Sequence, residues 1–121
     1  MPHNTTVAQV LTPDSLTELQ QLLGDELYPI TQLFAEQLTH DAEALQQLAQ
    51  ADDFAALAAR AHAVKGSTGN MGASALAQLA AQMEQAAKQQ DGARARSLLE
   101  GLPVLVEQTV QALKDAGFLR P

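Results

Sequence analysis

Leu, Ala, Val, Ile and Phe recur along most of this chain at intervals of three and four residues, the spacing that gathers side chains on one face of a helix. Residues 1–11 lack that rhythm and read as an irregular N-terminal lead-in. Thr12-Pro13 is a helix-start signal, with Thr as the cap and Pro at the first helical position. A short helix follows with Leu16, Leu19, Leu22 and Leu23 on one face, ending at Gly24. A second helix begins between Asp25 and Pro29 and runs to about Gln50, on a stripe of Ile30, Leu33, Phe34, Leu38, Leu45 and Leu48. Asp52 and Asp53 offer a cap for a third, whose inner face is Phe54, Leu57, Ala58, Ala61, Val64 and Thr68. Gly66, Gly69 and Gly72 weaken its end and turn the chain. A fourth starts at Ala73 or Ser74, carries Leu76, Leu79, Ala80, Met83, Ala86 and Ala87, and places Lys88 where a cation suits the helix dipole. Asp91-Gly92 is a turn, and the last helix spans about Ala93 to Ala116, closed by Gly117. Pro103 lies inside it, removes a backbone donor and predicts a kink or break near Leu99 to Leu102.

Long amphipathic helices with short connections predict an all-α, antiparallel up-down-up-down four-helix bundle with a short extra N-terminal helix. Composition agrees, because Leu, Ala and Gln are good helix formers and β-branched residues are sparse. The 121 residues suffice for one core and not for two. The many Gln residues fall on polar faces and read as solvation.

Charge and residue usage narrow the function classes. A net charge of −7 argues against nucleic acid and anionic membrane surfaces as partners. The chain has no Cys, which removes disulfides, thiolate metal sites and thiol chemistry and is compatible with a reducing cytoplasm, the location expected. The first residues do not read as a signal peptide, and no apolar run is long enough to span a bilayer.

Candidate chemistry is concentrated in Ala61-His62-Ala63-Val64-Lys65-Gly66-Ser67-Thr68-Gly69-Asn70-Met71-Gly72. His3 lies in the lead-in and His40 on a polar face, and neither has metal-ligand spacing to other residues. His62 differs in its surroundings. Its helical neighbours are Ala58, Ala59, Lys65 and Gly66, with Ala55 and Gly69 a turn further away. The imidazole therefore stands on a surface almost free of competing side chains, open to another protein's backbone. A helical Gly costs about 1 kcal/mol relative to Ala, so Gly66 beside an exposed His points to a steric need. Neutral imidazole is a nucleophile near neutral pH, and the Lys65 ammonium can pair with phosphoryl oxygens. Phosphoryl transfer needs little more than positioning and charge neutralisation. A His-x-x-Lys-Gly string alone is short, and an inert surface His with helix-ending glycines fits it as well. Ser67 and Asn70 read as helix-end residues, Met71 and Met83 as core filler, and Arg60 as a rim charge for docking.

The wider pattern resembles a family. Ala61-His62-x-x-Lys65-Gly66-Ser67-x-Gly69-Asn70-x-Gly72-Ala73, then Leu76, Met83-Glu84 and Ala86-Ala87, is similar to the histidine-containing phosphotransfer (HPt) domain of two-component phosphorelays. Phe34, Leu38, Leu45, Leu48, Ala51 and Asp53 extend the likeness upstream, so that it covers roughly residues 28–115. Val64 stands where the family often has Leu, and Pro103 is an unusual residue for its last helix.

The resemblance implies an HPt-like bundle domain over residues 12–121 and assigns roles by position. His62 accepts a phosphoryl group on Nε2 from the aspartyl phosphate of one receiver domain and passes it to the Asp of another. Lys65 stabilises the phosphoryl group and Gly66 gives steric access. Glu84 matches a position on the next helix that approaches the His, where a carboxylate can either orient the ring or repel phosphate; a solvated Glu on a helix face fits that position as well. Arg60, Ala59 and Ala55 fall on the docking side. The expected partners are the receiver domains of a hybrid sensor kinase and of a response regulator, which bring the Mg²⁺; the chain binds no cofactor or metal of its own, binds no ATP and does not phosphorylate itself. A stand-alone monomer is expected. The alternatives are a helical module that occupies receivers without transfer, and the phosphoacceptor domain of a chemotaxis-type kinase.

Overall fold

The computed structural model describes residues 10–121, so that His3 and the lead-in as far as residue 9 lie outside the described residues. Val10 and Leu11, the last of that segment, are buried. The chain then forms α1 (Asp14–Leu23), a single 3₁₀ turn (Gly24–Glu26), α2 (Leu27–Gln50), α3 (Phe54–Asn70), α4 (Ser74–Lys88), α5 (Gly92–Glu100) and α6 (Leu102–Asp115). The described residues contain no strand. Helix α3 packs between α2 and α4, and the α5–α6 arm packs against both α4 and α2, which closes a four-armed ring. Helix α1 lies across the outside, against α2.

Two apolar clusters fill this ring. The main core joins Leu38 and Leu45 of α2, Leu57, Ala61 and Val64 of α3, Leu76, Ala80 and Met83 of α4, and Leu99 and Leu102. The second closes the opposite end with Leu11, Leu16, Leu27, Leu113, Phe118 and Leu119, and partly buried Phe34 contacts both clusters. Alanines on α3 and α4 let these helices approach closely, so their seam is the tightest in the bundle.

Several boundaries follow the local chemistry read from the sequence. The Asp53 side chain accepts from Ala56 N–H at 3.3 Å and starts α3, and Asp91 accepts from Arg94 N–H at 3.1 Å and starts α5. The expected last helix is broken at Gly101, inside the expected interval. Pro103 thereby falls in the first turn of α6, where its missing N–H has no helical partner to lose.

Other expectations are corrected. Ile30 and Leu33 are 45% and 66% exposed, and Leu22 of α1 is 81% exposed. The inner line of α2 runs instead through Leu27, Thr31, Phe34 and Leu38. Thr31 is fully buried because its hydroxyl donates to Phe118 O at 2.7 Å, a tertiary contact that turns the start of α2. Thr12 does not cap α1. Its backbone N–H donates to Gly72 O at 2.7 Å and its hydroxyl meets Ser74 Oγ at 2.6 Å, which ties the chain before α1 to the α3–α4 turn. Gly66 and Gly69 lie within α3, and the turn belongs to Gly72, with φ at +72°. Some glutamines do more than face water: Gln20 and Gln46, for example, donate to the carbonyls of Gly117 and Leu99.

Candidate functional site

The turn at Gly72 sets the register of the site. In an antiparallel hairpin, residues equally distant from the turn stand at equal height. His62 on α3 and Glu84 on α4 are eleven residues to either side of Ala73. Thr68 locks the intervening part of α3, its buried hydroxyl donating to Val64 O at 2.6 Å.

Ala61 is fully buried in the seam, so the next residue, His62, emerges at the edge with its side chain 67% exposed. Glu84 lies between Met83 and the buried Ala80 and Ala87 of its own helix, and only 7% of it is exposed. A buried carboxylate needs partners, and this one has three. Oε2 takes His62 Nδ1 at 3.0 Å and Lys88 Nζ at 3.1 Å, while Oε1 takes Lys65 Nζ at 3.1 Å. Hydrogen bonds from Lys65, then Lys88, outweigh the opposing effect of burial and, with that from His62, hold the Glu84 carboxyl down from 4.5 to about 2.

That ionisation fixes the ring chemistry. An ionised carboxylate only accepts hydrogen bonds, so Nδ1 of His62 carries the proton. The lone pair then resides on Nε2, the nitrogen that Glu84 does not hold. Carboxylate contact with Nδ1–H also raises the electron density available at Nε2. Lys65, one turn along α3 and 41% exposed, stands beside the ring with donors to spare.

The surface around the ring is low. Ala55, Ala59, Ala63, Gly66 and Gly69 are all exposed on α3. A Cβ built on Gly66 meets no atom within 4 Å, so no internal packing requires glycine there. Ala59 and Ala63 also form one wall of a shallow groove, facing Ala44 and Leu48 of α2.

The sequence-derived candidates thus divide. His62, Lys65 and Glu84 are joined in one network, with Gly66, Ala59 and Ala55 on the exposed face beside it. Arg60 keeps a side chain 41% exposed at the rim, while its buried Nε pairs with Oδ1 of Asp41 on α2 at 3.6 Å. Lys88 lies in the last turn of α4, where a cation suits the helix dipole, and it also reaches back one turn to Glu84. The signal for this contact was present, since Glu followed by Lys at i+4 is the favourable order on a helix. His40 is exposed on α2, away from the network. Among the described residues, no group of His, Asp and Glu is gathered as a metal site, and no helix is long and apolar enough to cross a membrane.

No curated protein and no solved structure matches the chain. The family model of the Hpt domain matches residues 29–116. That span contains all of α3, α4 and α5, nearly all of α2 and α6, and every side chain of the His62 network. The chain belongs to the Hpt domain family, whose members carry phosphoryl groups on a histidine in phosphorelays.

Proposed function

We propose that this chain is a phosphorelay intermediate, accepting a phosphoryl group on Nε2 of His62 from a receiver-domain aspartyl phosphate and passing it to the Asp of another receiver. The observation that carries this reading is the buried Glu84 carboxylate on Nδ1, which leaves Nε2 as the nucleophile on an open surface. In the first transfer the Nε2 lone pair attacks phosphorus. The bond from phosphorus to the aspartyl oxygen breaks, and its electrons leave with the carboxylate. The proton stays on Nδ1, so the phosphorylated ring is cationic and faces the Glu84 anion. In the second transfer a receiver carboxylate oxygen attacks phosphorus, and the nitrogen–phosphorus electron pair returns to Nε2.

Lys65 neutralises phosphoryl oxygens during both transfers. Gly66 and the exposed Ala55 and Ala59 let the receiver backbone approach. A receiver's Mg²⁺ would supply further neutralisation of the phosphoryl charge. The chain acts as a carrier without kinase activity, and works as a monomer. The test is incubation with a receiver carrying labelled aspartyl phosphate. Acid-labile label is expected on the wild-type chain and none on His62→Gln, with helix content unchanged. Label on the variant, or binding without transfer to the wild type, would overturn the reading; the latter outcome favours a module that only occupies receivers.

A further inference from the structure

Glu84 has more positive charge around it than one carboxylate needs. Lys65 and Lys88 both bond to it, and they come from different helices. Lys65 is one turn from His62 on α3, so it moves with the nucleophile. Lys88 is one turn from Glu84 on α4, so it moves with the carboxylate. A phosphoryl group on Nε2 brings negative charge next to Lys65 and competes with Glu84 for that ammonium. If Lys65 were the only cation, its turn toward the phosphoryl group would leave a buried carboxylate with the ring proton alone, facing a second anion.

Resting on the phosphoacceptor role of His62, we propose that Lys88 is a positioning residue that holds the Glu84 carboxylate ionised on Nδ1–H while Lys65 is engaged by the phosphoryl group. The two lysines divide the work. One ammonium stays with Glu84, and the other is released to the substrate without unpairing a buried charge. The arrangement also answers the opposition between Glu84 and phosphate, because Lys88 cancels carboxylate charge at Oε2, the oxygen that also takes Nδ1–H. Its bond is to Glu84, and it acts through that carboxylate. Lys88 is 61% exposed, so substitution removes a charge and no core packing.

The test uses chemical phosphorylation with phosphoramidate, which needs no receiver, and follows the assigned His62 ring by ¹⁵N NMR. In the wild type and in Lys88→Arg, phosphorylated His62 is expected to keep a slowly exchanging Nδ1–H signal. In Lys88→Met that signal is expected to broaden or vanish on phosphorylation, while the unphosphorylated ring keeps its tautomer because Lys65 still holds Glu84. Onward transfer to a receiver should fall roughly tenfold in Lys88→Met, the low end of the cost of losing a supporting contact of this kind, and Lys88→Arg should restore it. An unchanged Nδ1–H signal in phosphorylated Lys88→Met overturns the proposal. So does a Lys88→Arg variant as impaired as Lys88→Met, since charge would then not be the cause. A wild-type chain that takes phosphate from phosphoramidate but exchanges it with no receiver defeats the relay reading, and leaves the ring spectra to decide the role of Lys88.

Discussion

Oε2 of Glu84 and Nδ1 of His62 stand 3.0 Å apart across the seam between α3 and α4, with the carboxylate on the buried side and the ring on the open side. This polarity is what makes the pair useful. The group that fixes the tautomer is buried, and the ring it holds is mostly exposed.

Glu84→Ala should therefore slow phosphoryl acceptance roughly 10- to 100-fold, the usual cost of losing such a supporting partner. Glu84→Gln should lose less, because the amide oxygen still accepts from Nδ1–H although its charge is gone. Single-turnover transfer from a phosphorylated receiver measures both. Equal loss in the two variants would show that charge, and not ring orientation, is the contribution of Glu84.

The same carboxylate makes stability depend on pH in a definite direction. Its pKa is lowered on folding, from 4.5 to about 2. A depressed carboxylate stabilises the native state above its unfolded pKa, and that contribution is lost as pH falls through the folded value. Linkage sets the contribution at about 3 kcal/mol at most, and solvent screening of Lys65 and Lys88, 41% and 61% exposed, makes it smaller. Urea denaturation between about pH 5 and pH 2 should show the wild type losing more stability than Glu84→Gln. Parallel acid slopes would remove Glu84 as the cause.

Much of this was legible because the informative contacts are local or repeat with the helix. The Leu and Ala stripes of α3 and α4 needed no tertiary knowledge, and His62, Lys65 and Gly66 lie within one turn of each other. Glu84 was reachable too, since it mirrors His62 about the turn at Ala73. What was not legible depends on partners far along the chain. Thr31 looks polar in the sequence and is buried only because the Phe118 carbonyl accepts its hydroxyl, which leaves Ile30 and Leu33 outside. Thr12 looks like a cap and is claimed by Ser74. Arg60 looks like a rim charge, and its pairing with Asp41 of another helix could not be read from the sequence.

Gly72 is a conformational requirement. Its φ is +72°, and a Cβ there would collide with the Thr12 carbonyl oxygen, a backbone atom that cannot step aside. Gly72→Ala should destabilise the fold by about 2–3 kcal/mol, combining left-handed strain with overpacking. The urea midpoint reports the loss. The His62 ring spectrum of the remaining folded protein should match the wild type, because Ala73 N–H still bonds to Thr68 O and sets the hairpin register. A changed ring spectrum would mean that Gly72 also positions the site.

Gly66 is the opposite case. It is helical and exposed, and an added Cβ there meets nothing within 4 Å. Gly66→Ala should stabilise the free chain by about 1 kcal/mol, the ordinary propensity difference. Stability and transfer should then move in opposite directions. Gly66→Ala should slow exchange with a receiver modestly and Gly66→Leu severely, while phosphoramidate, which has no backbone to dock, should phosphorylate all three proteins at similar rates. Thermal melting and the two phosphorylation assays together separate access from folding. If Gly66→Leu exchanged phosphate with a receiver as fast as the wild type, the low surface beside His62 would not be where the partner approaches.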